Sequence, residues 1–123
     1  MINQINVGVI GTGWCGGIRA NACADNPLVD KLFIAETNSN RLKELKNSLN
    51  IEMATENWQE LVNNKNIDTI IISATPETTH YPMALAALKA GKNVFLEKPI
   101  ATTLKEAEEL IDVSIKNNVK FTI

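Results

Sequence analysis

The sequence predicts a doubly wound α/β fold: an open sheet of six parallel strands in the order 3-2-1-4-5-6, with helices on both faces. Three observations predict it. Six short apolar runs alternate with five helical stretches along 123 residues, the rhythm of parallel strands joined by helical crossovers. One of those runs, Ile67 to Ala74, is almost continuously hydrophobic, as a strand covered on both faces must be. The first run leads straight into Gly11-Thr12-Gly13-Trp14-Cys15-Gly16, a G-x-G-x-x-G turn whose place after the first strand goes with that strand order.

Each element has its own local reason. Ile5 to Ile10 is too short for a helix and rich in β-branched residues, hence a strand. Residues 18–24 are helical, and Asp25-Asn26-Pro27 ends them because proline cannot continue a helix. Residues 31–36 form the second strand. Ser39 or Asn40 caps a second helix, with Leu42, Leu45 and Leu49 turned inward and Lys43, Glu44 and Lys46 turned to water. Residues 51–55 are a short third strand, Trp58 to Val62 a brief helix, and 63–66 its end. The run 67–74 is the fourth strand and 75–80 a loop. A helix over 81–90 closes on Gly91, and Asn93 to Leu96 is the fifth strand. Thr103, with Glu106 three residues on, makes a capping box for the last helix. Its inward stripe is Leu104, Ala107, Leu110, Ile111 and Ile115, and residues 119–123 are the sixth strand.

Composition narrows the function. Apolar residues make up 45% and charged residues 21% of the chain, ordinary for one globular domain spanning residues 1–123. A chain of this size buries about two-thirds of its unfolded surface. A net charge of −2 provides no broad basic face for nucleic acid or anionic lipid. No apolar run approaches the ~18 residues of a membrane span, and Met1-Ile2-Asn3-Gln4 lacks the regions of a secretory signal. Cys15 and Cys23 give neither a disulfide framework nor a metal-ligand spacing. A cytoplasmic chain with reduced thiols and no metal is expected.

The glycine turn carries the chemistry. Gly11 turns the chain off the strand, Gly13 lets the backbone approach a diphosphate, and Gly16 lets the helix pack close. The diphosphate then meets unpaired N–H groups and the positive end of the helix dipole. An acidic residue at the end of the second strand completes the pattern, and Glu36 stands there. In such sheets the ligand lies outside the carboxyl ends of the strands, at the switch between the first and fourth. That rule selects residues 11–16, Glu36, Thr75 with Pro76, and Glu97 with Lys98.

Beyond this point the sequence resembles a known family. The run ATPETTHYPMALAALKAGKNVFLEKPIA, from Ala74 to Ala101, is similar to the second half of the cofactor domain of the Gfo/Idh/MocA oxidoreductases. The opening VGVIGTGWCG is similar to the glycine loop of the same family, and Glu97-Lys98-Pro99 is the most specific mark. The resemblance implies a Rossmann domain that binds NAD or NADP and serves oxidation or reduction of secondary alcohols of sugars, cyclitols and related compounds. It implies that Lys98 is the catalytic lysine beside the nicotinamide and the reacting hydroxyl, where its ammonium helps in proton transfer as hydride moves. Glu97 would lie near the nicotinamide ribose, and Thr75, Pro76 and His80 match a T-P-x-x-x-H segment bordering the same end of the cofactor. For His80 a capping or packing role stands beside direct contact. Family members also carry a second, mainly antiparallel domain with the substrate pocket and usually the oligomer interface, which this chain lacks. The chain alone is expected to bind NAD weakly and to turn over nothing.

Glu36 favours NAD over NADP, because a carboxylate accepts both ribose hydroxyls and repels a 2′-phosphate. At about 4 Å and an effective dielectric near 20, two like charges cost on the order of 4 kcal/mol before relaxation. Arg41 could serve a 2′-phosphate if Glu36 swings out; the plainer reading is an exposed helix residue. Two other classes share parts of the pattern: a non-enzymatic nicotinamide sensor, which has no use for Lys98, and an S-adenosylmethionine-dependent methyltransferase, in which Glu-Lys-Pro has no counterpart.

Overall fold

Strand and helix alternate from end to end of the chain. In a computed structural model, which describes residues 3–123, the strands are β1 (Ile5–Ile10), β2 (Val29–Ala35), β3 (Met53–Thr55), β4 (Thr69–Ile72), β5 (Asn93–Leu96) and β6 (Phe121–Thr122). The helices are α1 (Trp14–Asp25), α2 (Ser39–Ser48), α3 (Trp58–Val62), α4 (His80–Lys89) and α5 (Leu104–Lys116), with a 3-10 turn at Glu77–Thr79 before α4. Met1 and Ile2 lie outside the described residues. The strands form one sheet in the order β3-β2-β1-β4-β5-β6, and every neighbouring pair is parallel.

The period-2 alternation of side chains divides the interior in two. Val7 and Val9 of β1 with Leu32 and Ile34 of β2 point to one face, where Ala20 of α1 and Leu45 of α2 cover them. Phe33, Ile70, Ile72, Val94 and Leu96 point to the other, against Leu61 of α3, Met83, Ala84, Ala87 and Leu88 of α4, and Leu110 of α5. Ile34, Ile70, Ile72 and Leu96 are fully buried, as central strands of a doubly covered sheet require.

Several boundaries differ from the sequence expectation. α1 begins at Trp14 rather than Ile18, because the glycine turn itself supplies the first helical turn. β2 begins at Val29, since Asn26 turns the chain through an Asx contact to Leu28 N and the strand resumes at once. Asn38, not Ser39 or Asn40, caps α2, its side chain accepting from Arg41 N at 3.0 Å. Gly91, φ +77°, follows the end of α4 as expected.

The last helix holds two corrections. Thr103 caps α5 by accepting from Glu106 N, but Glu106 reaches back to the N–H and hydroxyl of Thr102, so the reciprocal half of the capping box is absent. The inward stripe is also rotated. Leu110 and Ser114 are buried, with Val113 packed beside them, whereas Leu104 and Ile115 are 75% and 72% exposed and Ile111 is 45% exposed.

Candidate functional site

Four strand ends meet at the carboxyl edge of the sheet around a crevice of about 1290 Å³. The end of β1 contributes Gly11, Thr12, Gly13, Trp14 and Cys15; the end of β2 contributes Glu36; β4 contributes Ser73 and Thr75; β5 contributes Glu97 and Lys98. His80, at the start of α4, also lines it. Of the residues selected from sequence, only Gly16 and Pro76 are not on its wall. Both Thr75-Pro76 and Lys98-Pro99 are cis peptides.

The geometry of the glycine turn explains its composition. Gly11 has φ +83°, and a Cβ there would lie 2.6 Å from Ala74 Cα. A Cβ on Gly16 would collide with the Gly11 carbonyl oxygen. These two glycines fold the loop against β4 and bring α1 onto it. Gly13 is different, since a Cβ there would meet nothing within 4 Å. It faces open space and caps α1 with no side-chain hydrogen bond. By contrast α2, α3 and α5 are capped by the side chains of Asn38, Asn57 and Thr103. The first-turn N–H groups of α1 are therefore left without a protein side-chain partner at a positive helix end, beside the crevice.

Glu36 is wired into that loop. Its Oε1 accepts from Thr12 N at 3.0 Å and from Thr12 Oγ1 at 2.6 Å, and its Oε2 accepts from Asn38 N at 2.9 Å. Burial pushes the Glu36 carboxyl upward, but the hydrogen bonds from Asn38 and Thr12 and the charge of Arg41 outweigh it, so the pKa lies below the ordinary value. Thr12 itself is fully buried, with its hydroxyl turned to Glu36 rather than to the crevice. Arg41 is more than an exposed helix residue. Its Nε donates to the Thr12 carbonyl at 3.1 Å, and it lines the crevice beside Glu36.

At the other end of the crevice, Glu97 Oε2 lies 2.6 Å from Arg19 NH2, close enough for an ion pair although the N–H does not align as a hydrogen bond. The same guanidinium sits 5.3 Å from the Phe95 ring centroid. His80 is 2% exposed and is engaged at both ring nitrogens: Nδ1 is 2.8 Å from the Pro99 oxygen and Nε2 is 2.9 Å from the Ala74 oxygen. Lys98, next to both Glu97 and Pro99, is exposed at the crevice.

With this geometry in view, the comparisons with known proteins are decisive. A family model described as an oxidoreductase family with an NAD-binding Rossmann fold matches residues 5–123. The chain belongs to the Gfo/Idh/MocA oxidoreductase family. It is 30% identical to myo-inositol 2-dehydrogenase of Thermotoga maritima, over 94% of this chain and 34% of that protein. The solved structure of apo scyllo-inositol dehydrogenase from Lactobacillus casei superposes with a TM-score of 0.90 at 28% identity, over 99% of this chain and 36% of that one. Biliverdin reductase of Synechocystis sp. PCC 6803, solved with biliverdin and NADP+, gives a TM-score of 0.88 at 27% identity, over 96% of this chain and 37% of that one. The chain thus spans about a third of the length of the relatives it matches.

Within this Gfo/Idh/MocA cofactor domain, Arg19, beside the crevice, and Ser73, on its wall, had no clear signal in the sequence, and Arg41 was read more readily as an exposed helix residue. Arg19 looks like an ordinary helix residue until β5 brings Glu97 to it. Arg41 finds its partner in Thr12, across the loop. Ser73 ends an apolar strand with a polar side chain, and its buried Oγ has no hydrogen-bond partner among the described residues. Only that change from Ile72 to Ser73 could have marked it. Among the described residues no group of three or more His, Cys, Asp or Glu is placed to hold a metal ion, and no helix is long and apolar enough to cross a membrane.

Proposed function

We propose that this chain is the NAD-binding part of a dehydrogenase that exchanges hydride between a nicotinamide and a secondary alcohol of a sugar, cyclitol or related polyol. One observation supports it above the rest: an uncapped helix N-terminus, a ribose-side carboxylate and an exposed lysine open onto the same crevice. The residues suit a dinucleotide. The N–H groups from Trp14 to Gly16 hold its diphosphate, with Gly13 leaving room for it. The second lone pairs of Glu36 accept from the adenosine ribose, and Thr75 and Glu97 border the nicotinamide end, with Pro76 and His80 supporting it from behind. The chemistry such a cofactor supplies is hydride transfer at the nicotinamide ring. Lys98 hydrogen-bonds the substrate oxygen and carries its proton.

NAD is the preferred form. A 2′-phosphate would stand against the Glu36 carboxylate, which is held ionised and anchored from both oxygens. Arg41 offers the opposing attraction, but its Nε is already committed to the Thr12 oxygen. Substrate selection and oligomer contacts belong to a further domain of the full-length protein. Both cysteines are free, which suits a reducing compartment such as the cytoplasm.

Titration of the chain with NADH and with NADPH, read by nicotinamide fluorescence, tests the cofactor assignment. NADH should bind at least tenfold more tightly, and preference for NADPH would overturn the reading of Glu36. In the protein expressed from its full reading frame, Lys98→Ala should lower turnover of a polyol such as myo-inositol by at least 100-fold with NAD affinity unchanged. An absence of turnover by the wild type with any polyol would favour a nicotinamide sensor instead.

A further inference from the structure

We infer that Arg19 and His80 are positioning residues that fix Lys98 from its two sides. The residue before the lysine is tied to α1, since Glu97 pairs with Arg19 at 2.6 Å and Arg19 Cζ lies 5.3 Å from the ring centroid of Phe95 on β5. The residue after it is held against α4, since His80 Nδ1 lies 2.8 Å from the Pro99 oxygen. The other ring nitrogen, Nε2, lies 2.9 Å from the Ala74 oxygen, so one side chain is wedged between the loop after β4 and the loop after β5. Between these two restraints the Lys98 side chain is exposed, and among the described residues its ammonium pairs with no carboxylate.

The chemical consequence follows from what a side chain on a loop needs. An exposed lysine has four rotatable bonds, so its Nζ is delivered reproducibly to a substrate oxygen only if the backbone beneath it is rigid. The peptide on either side is made rigid here by partners from two different helices. Arg19 reaches Glu97 from the face of α1, and His80 reaches Pro99 from α4 on the other face of the sheet. His80 turns both ring nitrogens to main-chain oxygens, and Arg19 turns its guanidinium to Glu97 and Phe95. Their effect on chemistry passes through the Lys98 backbone.

This inference rests on Lys98 being the residue that meets substrate, and its test reads order rather than turnover. Backbone 15N relaxation on the 123-residue chain should give Lys98 an order parameter of about 0.85 in the wild type. In Arg19→Gln and in His80→Asn it should fall below about 0.6, with the order of the β1 and β4 strands unchanged. Arg19→Lys, which keeps the charge, should recover most of the loss. An order parameter at Lys98 that stays at the wild-type level in folded Arg19→Gln overturns the role of Arg19. The same result in His80→Asn overturns that of His80; if His80→Asn does not fold, His80→Gln takes its place. If Lys98→Ala proves fully active in the complete enzyme, the functional reading falls while the relaxation result still decides the mechanical one.

Discussion

His80 Nδ1 lies 2.8 Å from the main-chain oxygen of Pro99, while its other ring nitrogen faces Ala74 O at 2.9 Å. A neutral imidazole donates from one nitrogen only, whereas the doubly protonated ring donates to both oxygens. The ring thus spans the gap between two strand-end loops and donates to the main-chain oxygen of at least one of them. Replacing it by leucine removes every ring donor and leaves at least one part-buried carbonyl without its partner. His80→Leu should cost about 2–4 kcal/mol in urea unfolding, with no change in m-value.

The glycine loop separates stability from binding. Gly13→Ala adds a methyl to open space, so its thermal midpoint should stay within about 2 °C of wild type. Its NADH affinity should nevertheless fall at least tenfold, because the methyl takes the place of a phosphate oxygen. Gly16→Ala drives a Cβ into the Gly11 carbonyl and should lose both binding and several degrees of stability. Calorimetry and fluorescence titration on the same samples read both quantities.

Acid should weaken the loop through Glu36. Its folded pKa is lowered, so its contribution to stability is complete above the unfolded carboxylate value of about 4.3 and disappears as pH falls through the folded pKa. Wild type should exceed Glu36→Gln in stability at pH 7, and the gap should close as the pH is taken toward 2. A gap that widens in acid would contradict the assignment.

At the opposite edge of the sheet, Lys92 is 7% exposed and donates to Asn64 O at 2.6 Å and Ile67 O at 2.8 Å. Burial lowers its pKa, with the charge of Asp68 opposing. Lys92→Met should destabilise by about 1–3 kcal/mol, less than two lost bonds suggest because a desolvated charge disappears with them. NADH binding should be unchanged, since the crevice lies at the other end of the strands.

How much was legible in the sequence depended on how far apart the interacting residues lie. Strands such as Asn93–Leu96 and the order of the sheet followed from local hydrophobic pattern and the place of the glycine turn. The stripe of α5 did not. Leu104, Ile111 and Ile115 satisfy helical spacing as well as Ala107, Leu110 and Ser114 do, and only the packing of α5 against α4 and the sheet selects between the two flanks. Ile115→Lys should accordingly change stability by less than about 0.5 kcal/mol, whereas Leu110→Ala should cost about 2–5 kcal/mol. Most of the crevice was readable because strand ends converge by topology. Arg19, beside it, and the contact of Arg41 with Thr12 were not, because each depends on a partner that only the fold brings near.

The three contacts that Glu36 receives from Thr12 and Asn38 have a consequence for anyone wishing to retune this domain toward the phosphorylated cofactor. The obvious substitution, a small neutral residue at position 36, would discard the repulsive carboxylate and the tether of the nucleotide loop in one stroke. A successful redesign would have to add a new restraint on Thr12 before removing the old one, so selectivity and loop order would need to be changed together.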